Sequence, residues 1–569
     1  MNVKNKGLEI LKINIVLVST ALIVGIIVSI VAQLFSLIAK EVFELIQSGK
    51  ILNFFLTDEY QISLFPLIAC LIAGLLIGLL IKIFDVDRWH GPADTIYAAH
   101  QKAGSLDVKR GFLSTIASFF SISGGASVGI YGPLVHFGGT FSAFLRRRSF
   151  IPNIPHDIII GSGVAAAISA GFSSPIAGII FAHEVILRHF SMRALSAISL
   201  ASVSASFLAK WVNLVEPTFR FQEISFELIN SVPGLVVIGI TSAIIAFIFM
   251  KSLLFATSRA NSIKIPFYYK PIIPAFLCGS FGIFFPEVIG LGSETTKTII
   301  IDNQSVILLL SILIFKIILT SFCIGFGMFG GILSPALLVG SCVGALVFNI
   351  PFLGIDGNLS QIFAVSGMAA VASSVIGGPI TAIILVFELT GSYQYAIASI
   401  FSIAISNLIT YLIFGSSFFD AQLKLRKINI GFGRENILMS QTSILNLIDK
   451  KYLYFDKDVD IRKALQLFKS YNVTEGYFKN DNDDFLGKLR LINIIDKKNT
   501  KAFNFKDKKV ITLKPNNSVL ESIQILSNFV GESVPIVDNK LKIHGIISEN
   551  ELLKSYDAIS KQIKNIEKN

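Results

Sequence analysis

Apolar residues dominate the first 420 positions and fall in long blocks: 13–39, then about 62–84, 111–124, 157–187, 195–214, 233–258, 269–290, 304–350, 361–390 and 394–414. A helix that crosses a bilayer needs about 20 apolar residues. Some blocks match that length, and others are too short or too long for one clean span. Glycine and proline interrupt many of them. These breaks predict broken or re-entrant helices, which a membrane tolerates only where protein or a water-filled cavity surrounds the backbone. The first block follows Lys4, Lys6 and Lys12, is too long for a signal-peptide core and has no small-residue cleavage site. It reads as a retained first span with the N-terminus in the cytoplasm.

The breaks repeat. Gly129, Pro133 and Gly138 recur at the same spacing as Gly331, Pro335 and Gly340, an offset of 202. Gly163 recurs as Gly367, and Pro175 with Glu184 as Pro379 with Glu388, at an offset of 204. The two halves, roughly 10–215 and 230–420, therefore read as a duplicated unit. Membrane units duplicated with helix breaks at matched positions are the signature of transporter-type folds, whose substrate site lies at the repeat interface.

Beyond 420 the long blocks stop. Helical spacing at 461–470, 519–529 and 549–556 alternates with short extended runs at 473–478, 485–491, 534–538 and 545–548. This is a small α/β pattern in two copies, with Gly487 and Gly545 58 residues apart. It resembles a pair of CBS motifs, a cytoplasmic regulatory module, the second copy matching better than the first. The expected organisation is a membrane domain over 1–425 and a CBS-like pair over 426–569.

Composition agrees. The chain has 569 residues, 53% hydrophobic and 15% charged, and a mean hydropathy of +0.68, whereas soluble domains average about 25% charged. That excludes a soluble enzyme, a disordered protein and a fibre. The tail 421–569 carries 26 basic and 18 acidic residues, so it supplies +8 of the net +11. Its positive charges are interleaved with acids and form no stripe, which argues for a face near anionic lipid and against a nucleic-acid partner. Cys70, Cys278, Cys323 and Cys342 lie in apolar stretches without metal-ligand spacing, so neither a disulfide framework nor a metal site is expected. No phosphate-binding glycine loop, HExxH or CxxC occurs, and the chain is read as a non-enzyme without a cofactor.

The candidate chemistry lies in Gly124-Gly-Ala-Ser-Val-Gly-Ile-Tyr-Gly-Pro-Leu-Val-His-Phe-Gly138. Its glycines let the backbone turn and expose N–H groups, and Pro133 suits the first turn of a helix. A helix starting there aims unpaired N–H groups and its positive dipole end at whatever precedes it. That makes an anion site without a cationic side chain, as a pore requires. Gly330-Gly-Ile-Leu-Ser-Pro335 repeats the arrangement.

The stretch 121–139 resembles the G-[KR]-E-G-P-x-V-H motif of the CLC chloride channel and transporter family. Gly331-Ile-Leu-Ser-Pro335 resembles its G-x-F-x-P motif, His90-Gly-Pro-Ala-Asp94 more loosely its G-S-G-x-P motif, and Pro175-Ile-Ala-Gly-Ile-Ile-Phe-Ala-His-Glu-Val185 its P-L-A-G-x-x-F-x-x-E segment. The resemblance covers about 10–425. It implies an all-α fold of about eighteen short, tilted helices in two inverted halves, assembled as a homodimer with one anion pathway per subunit. By position it puts the anion-binding backbone amides at Ile332 and Leu333, the family serine at His90 beside Gly91, and the family tyrosine at Phe419. Helix starts carrying Gly129, Gly132, Pro133, Gly331 and Pro335 complete the set.

Two departures stand out. The family's gating glutamate falls on Tyr131, and its inner proton-transfer glutamate falls on Val185. A tyrosine hydroxyl has a reference pKa near 10, so it neither mimics an anion nor cycles a proton at neutral pH. It either blocks the pathway or lines it. Phe419 loses a hydroxyl donor, while His90 keeps one N–H. His136 and His183 are read as packed side chains, Glu184 and Glu388 as helix-end hydrogen-bonding groups rather than proton carriers, and Arg146-Arg-Arg148 as a headgroup-facing helix end. The CBS-like pair is a candidate for an adenine nucleotide, but the ribose-binding aspartate of Ser/Thr-x-x-Asp is Glu551 in one copy and Asn493 in the other.

The leading expectation is passive conduction of chloride or a similar anion in a bacterial inner or plasma membrane, with both termini cytoplasmic. The alternatives are an anion/proton antiporter with a non-standard proton route, in which Glu184 or His90 substitutes, and a ligand-sensing membrane receptor acting through the tail.

Overall fold

The computed structural model describes residues 3–47, 64–101, 106–148, 155–212, 228–350, 359–426 and 428, and in the tail 438–440, 442–497, 500–507, 509–527 and 529–568. The chain divides into two compact units, Met1–Ile428 and Asn429–Asn569.

The first unit is all helical. Its first half holds α1 (Val3–Gln47), α2 (Phe65–Phe84), α3 (Pro92–His100), α4 (Val108–Ser123), α5 (Tyr131–Arg148), α6 (His156–Phe172), α7 (Pro175–Phe181) and α8 (Met192–Val212). The second holds α9 (Leu228–Ser262), α10 (Ile272–Phe284), α11 (Ser293–Ile301), α12 (Val306–Gly325), α13 (Leu333–Phe348), α14 (Ser360–Ile376), α15 (Pro379–Thr390), α16 (Tyr393–Phe414) and α17 (Phe418–Leu425). Among the described residues six helical stretches are long and apolar enough to cross a membrane, and the others are shorter.

The overlong apolar blocks break where glycine, serine and proline stand. Block 157–187 becomes α6 and α7, with Ser173 left-handed at φ +55° and Pro175 opening the next helix. Block 361–390 becomes α14 and α15, with Gly377 at φ +73° and Pro379 in the matching role. A left-handed residue ends a helix, and proline, lacking an N–H, starts the next without losing a bond. Block 304–350 breaks between α12 and α13, where Gly327 is left-handed at φ +98° and Pro335 stands in the first turn of α13.

The repeat is visible in the packing. A side chain on Gly163 would overlap the Gly138 carbonyl, and one on Gly367 the Gly340 carbonyl. Glycine at these four places lets α5 meet α6, and α13 meet α14, backbone to backbone. The halves also cap each other. Glu184 accepts hydrogen bonds from the N–H groups of Ile380 (2.9 Å) and Thr381 (2.7 Å) and from the Thr381 hydroxyl (2.6 Å) at the start of α15. Glu388 accepts from Ile176 (3.0 Å) and Ala177 (2.8 Å) at the start of α7. Each carboxylate satisfies orphan donors and sits on the positive end of the opposite half's helix.

The tail is duplicated at an offset of 58. Helix α18 (Ile461–Tyr471) is followed by β2 (Glu475–Lys479) and β3 (Phe485–Arg490), and α19 (Val519–Ile525) by β4 (Ser533–Val537) and β5 (Ile543–Ser548). Strand β1 (Tyr454–Phe455) pairs parallel to β2, and both hairpins are antiparallel. Phe478 opposes Gly487, Ile536 opposes Gly545, and each hairpin shifts register at the next residue. The copy that matches its motif poorly thus folds like the better one. Helix α19 ends at Ile525, four residues before the end of the helical spacing, while α20 (Glu549–Lys568) runs well past 556.

A buried polar cluster ties the copies together. Lys488 Nζ lies 2.7 Å from the Glu475 carboxylate, with both side chains 5% exposed or less. Lys488 also donates to the Ser533 carbonyl (2.9 Å), Glu475 accepts from Ser533 N–H (2.9 Å), and the Tyr477 hydroxyl meets Ser533 Oγ at 2.7 Å. Burial pushes the Tyr477 phenol well above its usual range.

Candidate functional site

The two glycine motifs meet. Gly129 N–H donates to the Gly331 carbonyl (2.7 Å) and Gly331 N–H to the Gly129 carbonyl (2.6 Å), an antiparallel bridge across the pseudo-symmetry of the halves. A side chain on Gly132 would come within 2.7 Å of the Gly331 Cα. Helix α5 leaves this bridge at Tyr131 and α13 at Leu333, so Pro133 and Pro335 each stand third in their helix. The first turn is where proline costs no hydrogen bond and where backbone N–H groups lack helical partners. A third helix, α3, starts beside them at Pro92, after Gly91.

These starts enclose a cavity of about 70 Å³, lined by Gly91, Tyr131, Gly132, Gly331, Ile332, Leu333 and Phe419, with Trp89, Phe329, Ile376 and Arg426 among the other wall residues. Residues more than 300 positions apart thus share one wall. A void of this size takes a small hydrated ion, since one water needs about 10–15 Å³ by this kind of measure.

His90 departs from its expected place. The cavity takes Gly91 and not the histidine ring. The main-chain N–H of His90 is held by Ser114 Oγ (2.9 Å), and its ring turns edge-on to His136 at 6.2 Å. His136 is itself fixed by Thr95 Oγ1 at 2.8 Å. His183 is packed: its Nδ1 meets the His189 carbonyl at 2.9 Å and its ring stacks on Phe190.

Tyr131 is 7% exposed and stacks on Phe172, ring centroids 3.6 Å apart and planes within 15°. Gly171 makes room for it, since a side chain there would lie 3.0 Å from the Tyr131 ring. Val185 is buried in a π-helical turn, Ala182–Leu187, that continues α7. It lies against Gly378 at the start of α15, outside the cavity wall.

Arg426 was not among the expected site residues. Its Nη1 lies 2.8 Å from Asp94 Oδ1, which also meets Arg88 Nη2 at 2.7 Å. Asp94 Oδ2 accepts from Arg88 Nη1 (3.1 Å) and from Gly91 N–H (3.0 Å). Two guanidiniums share one carboxylate: Asp94 and Arg426 line the cavity, and the half-exposed Arg88 stands behind Asp94, outside the wall. Asp94, three residues after Gly91, is a legible helix cap. Its pairing with an arginine 332 residues away has no signal in the sequence.

The Voltage gated chloride channel family model matches residues 73–411, more than half of the chain. The chain belongs to the CLC family. A CBS domain model matches residues 504–558 of its tail. Chloride channel protein CLC-e of Arabidopsis thaliana is 27% identical over 335 residues, 53% of this chain and 47% of its own. The H(+)/Cl(-) exchange transporter ClcA of Yersinia pestis is 26% identical over 327 residues, 54% of this chain and 66% of its own. The matched region thus spans about half of the plant relative's length. Among solved structures, a slow cyanobacterial Cl−/H+ antiporter superposes with a TM-score of 0.65 at 19% identity, covering 72% of this chain and 97% of that one. A eukaryotic CLC transporter gives 0.59 at 14% identity, covering 94% and 97%. At these identities the likeness is one of fold: a CLC-type helical membrane domain followed by a small α/β CBS region.

Proposed function

We propose that this CLC-family protein passes chloride or a similar small anion down its gradient, without proton coupling. The observation that carries the reading is the cavity at three helix starts, with Tyr131 in its wall. Beside the neutralised Asp94–Arg426 pair, the cavity offers backbone N–H groups at helix starts, which attract an anion without gripping it. Tyr131, pinned on Phe172, has no carboxylate to take a proton, and Val185 has none at the second family position. Family resemblance adds a homodimer with one pathway per subunit, in a bacterial inner or plasma membrane with cytoplasmic termini.

The second reading is anion/proton exchange, favoured by the similarity to the H(+)/Cl(-) exchange transporter ClcA and to the cyanobacterial Cl−/H+ antiporter. Proteoliposomes with an imposed chloride gradient separate the two. Chloride efflux with external pH held flat is the expected result; chloride-driven proton movement against the proton gradient refutes passive transport.

For the tail we propose a structural, dimer-stabilising module in place of a nucleotide sensor. The positions that would meet a ribose do not fit one. The Asn493 amide is spent on the Phe505 carbonyl (3.1 Å) and Asp507 (2.9 Å), and Glu551 pairs with Lys554 at 3.1 Å. The first copy's buried Lys488–Glu475 pair reaches the second copy through the Ser533 main chain. Removing one partner of such a pair strands the other charge and costs about 3–5 kcal/mol. Lys488→Met is therefore expected to speed hydrogen exchange of the β2 and β4 amides in the full protein by two or more orders of magnitude. Adenine nucleotide is expected to leave that exchange unchanged. Nucleotide protection of those amides sinks the structural reading.

A further inference from the structure

Lys316 sits midway along α12 with no solvent exposure, inside a membrane-spanning segment. Its Nζ donates to the carbonyls of Val288 (3.1 Å) and Gly290 (2.9 Å). Among the described residues no carboxylate lies within ion-pair distance of it. The titratable side chains around it are the thiols of Cys278, Cys323 and Cys342. A buried ammonium compensated only by carbonyl dipoles is costly, and intramembrane charges of this kind mark ion pathways.

The carbonyls that hold Lys316 lead to the first glycine motif. Ser127 Oγ donates to the same Val288 carbonyl (2.9 Å), and Gly290 N–H donates to the Gly125 carbonyl (3.0 Å). Thr320, one turn along α12, meets Ser127 Oγ at 3.3 Å. Gly125 and Gly290 both have left-handed backbones, φ +93° and +60°, so this seam is built for close approach. Four residues after Ser127 the chain reaches Tyr131, and α12 ends at Gly325, five residues before the second motif at Gly330.

We propose that Lys316 is a fixed positive charge serving the anion pathway from behind the loop that leads to Tyr131. It acts as a positioning residue and does not touch the ion. The inference rests on the anion-transport reading above. Its ammonium clamps the 288–290 segment against Gly125–Ser127 and lowers the energy of an anion at the motif. Buried and away from solvent, such a field is screened by salt much less than one from a surface charge. A unit charge acting over on the order of 10 Å in a protein interior shifts an ion's occupancy roughly tenfold.

The test is chloride flux as a function of chloride concentration in proteoliposomes. Lys316→Gln keeps a donor for the carbonyls and removes the charge. It is expected to raise the half-saturating chloride concentration roughly tenfold, with the detergent-solubilised protein still melting cooperatively. Lys316→Arg keeps the charge and is expected to stay within about twofold of the parent. Thr320→Asp leaves Lys316 in place but gives it a counter-charge; it is expected to behave like Lys316→Gln, and it decides the matter if the glutamine variant does not fold. Half-saturation unchanged in the glutamine or aspartate variant overturns the proposal. So does an arginine variant as impaired as the glutamine one, which makes Lys316 a clamp of fixed shape. Absence of chloride flux in the unaltered protein defeats the transport reading itself, a separate outcome.

Discussion

Tyr131→Ala protein is expected to carry chloride at least as fast as the unaltered protein, and faster if the ring narrows the pathway. The ring forms part of the wall of a 70 Å³ cavity, so trimming it to a methyl group widens the space an anion crosses. It also removes the stack on Phe172, and truncating a buried aromatic costs about 3–5 kcal/mol. Flux must therefore be normalised to folded protein. Tyr131→Phe separates the two contributions: it keeps the stack and deletes only the hydroxyl. If the tyrosine is a wall, the phenylalanine variant matches the parent and the alanine variant equals or exceeds it. If Tyr131→Ala abolishes flux in a folded assembly, the residue is a required ligand and not a gate.

Removing either crossed cap is expected to destabilise the membrane unit without touching proton movement. Glu388→Ala strands the N–H groups of Ile176 and Ala177, and Glu184→Ala strands those of Ile380 and Thr381 together with a hydroxyl. An unsatisfied donor costs about 1–3 kcal/mol, and the lost charge at a helix N-terminus adds a few tenths to 1 kcal/mol. These sites are half-buried, so water recovers part of the loss, and a net cost of about 2–4 kcal/mol for each variant is expected. Thermal unfolding in detergent measures it. The glutamine variants, which keep an acceptor oxygen, are expected to fall between. If Glu184→Ala instead leaves stability intact while changing the ratio of protons to chloride moved, Glu184 is a proton carrier.

The parts of this fold most legible from sequence are those where chemistry leaves one choice. Gly138, Gly163, Gly340 and Gly367 mark backbone contacts that no side chain fits, and Pro175 and Pro379 mark helix starts, so the duplication could be read from spacing alone. The cavity wall was partly legible. Gly91, Tyr131, Ile332, Leu333 and Phe419 were placed by motif, and all five line the space. His90 lies outside the wall: its N–H is held by Ser114 and its ring turns toward His136, contacts with separate helices that spacing does not show. Arg426, Phe172 and Lys316 were illegible for another reason. Each acts through a partner distant in the chain, and an arginine or lysine near an apolar stretch looks the same whether it meets headgroups, a carboxylate or a carbonyl. In the tail, the first copy's motif is worn while its hairpin, with the register shift after Phe478, is intact. Strand pairing tolerates side-chain change that a motif does not.

The central claim is that nothing at the two proton positions couples anion movement to protons. The most direct measurement is the reversal potential of the reconstituted protein under a chloride gradient combined with an opposing pH gradient. Uncoupled transport puts the reversal at the chloride equilibrium potential, whatever the pH difference. A reversal potential that moves as the pH gradient changes, with chloride held constant, contradicts the account.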